Sequence, residues 1–141
     1  MQEPDLESLI RIGKLRPVPC EPQVFDRLLR SGRQRLIDAR LDGLSTESRF
    51  DLAYNAATAL ALAILSGQGY RAQRMPPFLA LPYVVPMEPE IRRYLAQGHA
   101  LASNHEHGEV DEALAGNLIQ AALNLLAKAE GQVVSAARAN H

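Results

Sequence analysis

The chain has one cysteine, Cys20, no tryptophan, and only 5% aromatic residues among its 141 positions. A single thiol excludes an intrachain disulfide framework and any metal site built from several cysteines of one chain. With so few rings, leucine and alanine must fill the core. Each buried alanine supplies little apolar area, so such a core requires closely approaching helices. An excess of one charge is also missing. The net charge of −1 creates no global attraction to nucleic acid or to a membrane. The N-terminal "MQEPDLESLI" lacks the basic and apolar regions of a signal peptide, and no segment approaches the apolar length of a membrane span. A cytoplasmic protein without membrane contact or cofactor is the expectation.

What is present is helical periodicity. The whole of 1–141 reads as one domain of all-α class, a four-helix up-and-down-type bundle with a short N-terminal helix and an irregular Pro-rich crossover. Residues 1–21 hold the short helix, which Gly13 ends, and a connector, "KLRPVPCEP", whose prolines oppose regular hydrogen bonding. From Pro22 to Arg40, Phe25, Leu28, Leu29, Gly32, Leu36 and Ile37 recur along one side. Ser45 or Thr46 caps the next helix, which is nearly apolar all round through "NAATALALAIL" and ends at Gly67 or Gly69. Five prolines between Pro76 and Pro89 then interrupt the chain. Pro89 opens a helix through "EIRRYLAQGHALAS", and "DEALAGNLIQAALNLLAKAE" supplies the last one. Residues 131–141 read as a flexible tail.

Three of the four histidines lie at or near one stretch, "GHALASNHEHGEVDE". His99, His105, His107 and Glu106 offer nitrogen and oxygen ligands, but their spacing matches no HExxH arrangement. A hydrophilic corner between helices with no metal is the expectation.

The central stretch "LLRSGRQRLIDARLDGLSTESRFDLAYNAATALALAILSGQGYR" resembles the HEPN superfamily, in particular small bacterial HEPN-like proteins. Ala39, Arg40, Leu44, Ser45, Glu47 to Ala57, Leu60 to Ile64 and Gly69 to Arg71 carry the likeness. It extends from about Leu6 to Ala129. The resemblance implies a helical bundle that dimerises. Many members are metal-independent ribonucleases of toxin or defence systems, using an arginine, four to six residues, then a histidine. Others have lost that motif and serve as partners or substrate-binding modules beside nucleotidyltransferases; an antitoxin or nucleotidyltransferase is the partner the resemblance implies for this chain. Arginine grips phosphate in a charge-assisted fork, and histidine exchanges a proton near neutral pH. In the register that His99 and Glu106 set, the motif's arginine falls on Ala102 and its tyrosine on His107. Alanine cannot replace a guanidinium.

A catalytically degenerate binding or regulatory subunit is therefore the expected function, with a metal-independent endoribonuclease as the alternative. Arg92 or Arg93 with His99 or His107 would form the composite catalytic set. On a helix, residues seven apart nearly align, which favours Arg92 with His99. Arg49, Asp51, Tyr54 and Asn55 read as a buried polar bracket or, with Asn104 and Glu106, as candidates for ligand or RNA binding. Arg27, Arg30, Arg33 and Arg40 form the one sizeable basic cluster in sequence. Phe78, Leu79, Leu81, Tyr83 and Met87 are a third candidate, an apolar pocket under the crossover with Arg71 and Arg74 for an anionic end. A homodimer through the Ala/Leu-rich face completes the expectations, its two histidine corners sharing a cleft.

Overall fold

A computed structural model describes residues 5–103 and 110–139. The chain is mostly helical: α1 (Leu6–Arg11), α2 (Pro22–Ala39), α3 (Thr46–Gln68), α4 (Pro77–Ala80), α5 (Pro89–Ser103) and α6 (Glu112–Ala139). Two three-residue strands, β1 (Leu15–Pro17) and β2 (Tyr70–Ala72), form an antiparallel pair, and a 3₁₀ turn spans Leu81–Tyr83.

Local chemistry fixes the helix ends. The Asp5 carboxylate accepts from Ser8 N at 2.8 Å, the Ser45 hydroxyl from Ser48 N at 3.1 Å and the Asp111 carboxylate from Leu114 N at 2.7 Å. Each satisfies an amide that the helix itself leaves without a partner. At the far end of α3, Gly69 takes φ 88°, and its N–H turns back onto Leu65 and Ser66. That left-handed cap delivers the chain into β2.

α3 is the centre of the molecule, packed by α2 on one side and α6 on another, with α4 and β2 also against it. Ten of its residues are buried, seven of them between Ala53 and Ala63, and six of those seven are alanines. Small side chains let the backbones close in. A Cβ built on Gly32 of α2 would lie 2.5 Å from Leu60 Cγ, so a larger residue at this crossing would force Leu60 or the helices to shift. α5 packs chiefly on α6, where Gly98 meets Leu118. Among the described residues no polar or charged side chain belongs to the buried core.

Two expectations are corrected. The Pro-rich connector does form a strand. Val18 N donates to Gly69 O and Gln73 N to Lys14 O, which places Pro17 in a pair that exchanges no hydrogen bonds. Its missing N–H is not needed there. Second, α3 does meet the length and apolarity of a membrane span, although 56% of its most apolar window is buried inside the protein. Helical backbone of α6 continues to Ala139, across most of the segment 131–141. Much of the all-round apolar surface of α3 is buried within the chain. Only Ile12, Ile37 and Leu41 are large, apolar and exposed among the described residues.

Candidate functional site

The junction of α3, α4 and α5 gathers the polar residues with the most structure around them. Tyr54 lies in the third turn of α3, half-buried, between two rings. Phe50 stacks on it at 6.1 Å and Phe78 of α4 meets it edge-on at 5.5 Å. Burial raises the Tyr54 hydroxyl above the ordinary tyrosine range, because a phenolate there would lose water. The hydroxyl lies 3.3 Å from His99 Nδ1. His99 is half-buried on α5, edge-on to Phe78 at 6.2 Å. One turn later the Ser103 hydroxyl lies 3.4 Å from Nδ1 and 3.5 Å from Nε2. These are long hydrogen-bond distances, so the rings hold the imidazole's place as much as the polar contacts do.

Arg92 and Arg93 take no part in this cluster. Both are exposed, and they line a cavity of about 380 Å³ with Phe78, Leu79, Pro82, Tyr83, Pro89 and Ala96. The Arg93 guanidinium also lies 5.6 Å from the Tyr94 ring centre, within cation–π range. Phe78 is the one residue common to the cavity and the histidine cluster. Ala102, three residues after His99 on α5, is half-buried against the core.

The proposed polar bracket comes apart. Asp51 and Asn55 are exposed on α3 and do not form a buried pair. Four residues of spacing gave them a common face, but that face is the solvent one. Arg49 has the structural role instead. Its Nε donates to Ala39 O at 3.1 Å and its terminal nitrogen to Leu41 O at 3.2 Å, closing the end of α2. The pocket imagined under the crossover is also divided. Phe78, Leu79 and Tyr83 face Arg92 and Arg93, whereas Arg71 lies on β2 and lines a different cavity.

Asn104, His105, Glu106 and His107 lie outside the described residues, as do the cleft and the metal question that depend on them. Among the described residues no group of three or more His, Cys, Asp and Glu side chains converges as a metal site. The sequence reading missed Ser103 and the ring of Phe78 as neighbours of His99. Forty-five positions separate Tyr54 from His99, and no periodicity within one helix reports such a contact. Comparison of the chain with protein-family models, with curated proteins and with solved structures finds no match.

Proposed function

We propose that the chain is a HEPN-like four-helix bundle acting as a binding or regulatory subunit without nuclease chemistry. One observation carries this reading. His99 is held by Tyr54, Ser103 and Phe78, while the neighbouring position of the motif's arginine is the half-buried Ala102. A general base must reach a substrate hydroxyl, and a ring packed into a polar and aromatic bracket serves α3–α5 packing first. The resemblance, and not the apolar surface, supports a two-fold assembly and a partner such as an antitoxin or nucleotidyltransferase.

The ribonuclease alternative has an observation of its own. The exposed Arg92 and Arg93 face a cavity whose wall includes Phe78, the ring against His99. Incubating metal-free protein with mixed RNA separates the two readings. The proposed function expects no specific cleavage by wild type, and none gained or lost in Arg92→Gln or His99→Ala. Cleavage abolished by both substitutions, in proteins that keep their helical signal, would establish the enzyme instead.

A further inference from the structure

A second cavity, of about 490 Å³, lies between β1, β2, α2 and α3, and shares no residue with the His99 cluster. Three arginines line it, and each comes from a different element: Arg16 from β1, Arg27 from α2 and Arg71 from β2. Glu21 is the one acid on its wall. None of the three arginines forms an ion pair within the described residues, where the only salt bridge joins Arg33 to Glu130. The floor is apolar, with Val24, Leu28 and Leu62, and Tyr70 stands at the side.

The strand register makes this arrangement unfavourable for an empty protein. Arg16 and Arg71 are directly paired across the two-stranded ladder. Paired residues of an antiparallel ladder project to the same face with Cα atoms about 5.5 Å apart or less. Like charges placed so repel one another. Arg27 adds a third positive charge to the same cavity, and the sequence puts no carboxylate in either strand. The three guanidiniums, all exposed at the cavity, outnumber the single Glu21 carboxylate on its wall. We infer that this cavity binds a small phosphomonoester whose phosphate sits among Arg16, Arg27 and Arg71 and whose apolar body lies on Leu28 and Leu62.

Charge matching selects the phosphate. Three arginines and one glutamate leave two positive charges, which a dianionic phosphate neutralises and a monocarboxylate does not. Guanidinium groups suit phosphate oxygens through paired N–H donors. The volume falls within the range of small-molecule sites, about 300–1,000 Å³. The apolar floor argues for an organic ester over inorganic phosphate, because bare phosphate would leave Val24, Leu28 and Leu62 uncovered.

Calorimetric titration of the full chain tests this, with phenyl phosphate as the probe and inorganic phosphate, benzoate and a single-stranded oligouridylate as comparisons. Phenyl phosphate should saturate one site per chain and bind more tightly than inorganic phosphate or benzoate. Arg16→Gln and Arg71→Gln should each weaken it about tenfold or more, as expected for loss of a charge-assisted contact. Cys20 supplies a local reporter. It is exposed, between Pro19 and Glu21, which both line the cavity. Bound phenyl phosphate should slow its alkylation by N-ethylmaleimide. Stability gives an independent sign. Without ligand, Arg16→Gln should raise the melting temperature by relieving repulsion, and with phenyl phosphate wild type should gain more than the variant. Absence of saturable binding, equal affinity in the double variant, or binding that leaves Cys20 alkylation unchanged each overturns the proposal. Preferential binding of the oligouridylate, lost in Arg16→Gln, would reassign the arginines to an RNA contact and also overturn it.

Discussion

Replacing Arg49 with glutamine should destabilise the protein by about 2 kcal/mol, and the structure shows how that figure arises. The last carbonyls of a helix have no intrahelical partner. At the end of α2, Arg40 N returns to Ile37 O at 3.1 Å and Leu41 N to Asp38 O at 3.2 Å. Ala39 O is taken instead by Arg49 Nε, and Ala39 is fully buried. Removing the guanidinium leaves that carbonyl without water or protein, which costs about 1–3 kcal/mol. The second bond, to Leu41 O, is exposed and adds a fraction of that. A cation beside a helix C-terminus adds about 0.3–1 kcal/mol more. Arg49→Lys keeps the charge but loses the fork, so it should recover less than half of the loss. Urea denaturation with an unchanged m-value measures both variants. If Arg49→Gln unfolds at the wild-type midpoint, or Arg49→Lys is indistinguishable from wild type, the capping account fails.

Gly32→Ala should destabilise despite a better helix propensity. The added methyl meets Leu60 Cγ at 2.5 Å and Leu60 N at 3.3 Å, so overpacking of about 1–3 kcal/mol outweighs a gain of about 1. An unchanged or higher denaturation midpoint would show that α2 and α3 can part at that crossing. Tyr54 predicts an alkaline limb in stability. Its folded pKa is raised by burial, so the folded state holds the proton longer than the unfolded chain. The contribution is complete below about pH 10 and declines as pH rises through the interval up to the folded value. Tyr54→Phe should flatten that decline, and an identical alkaline profile in the variant would refute it. Light scattering at low micromolar concentration should return a dimeric mass if the HEPN-like assembly holds. A monomeric mass would remove it.

What the sequence made legible is what one helix can carry. Phe25, Leu29 and Leu36 on α2, and Ile91 and Leu95 on α5, are buried where a 3.6-residue period puts them. The Ser45 cap and the glycine end of α3 also follow from local chemistry. Contacts between elements were not legible. Asp51 and Asn55 share a face by spacing, yet only packing decides which face meets water. The β1–β2 pair escaped notice because prolines usually exclude a strand, and Pro17 is tolerated only by its position in the ladder. Nothing in the spacing of Arg16, Arg27 and Arg71 announces that three elements bring them to one cavity.

The net charge of −1 gave no reason to expect an anionic ligand, but it averages over a strong local sorting. Carboxylates cluster at helix N-termini: Asp5 before α1, Glu47 in the first turn of α3, Glu90 in that of α5, and Asp111 with Glu112 at α6. Asp5 and Asp111 each accept from a free helix amide, and the helix dipole favours the others. The arginines collect elsewhere. Arg92 and Arg93 flank one cavity, and Arg16, Arg27 and Arg71 flank another. Both sets have apolar surface beside them, and the described residues give neither an ion pair. A nearly neutral chain can therefore present two concentrated positive sites, because its opposite charges are unevenly distributed over the fold.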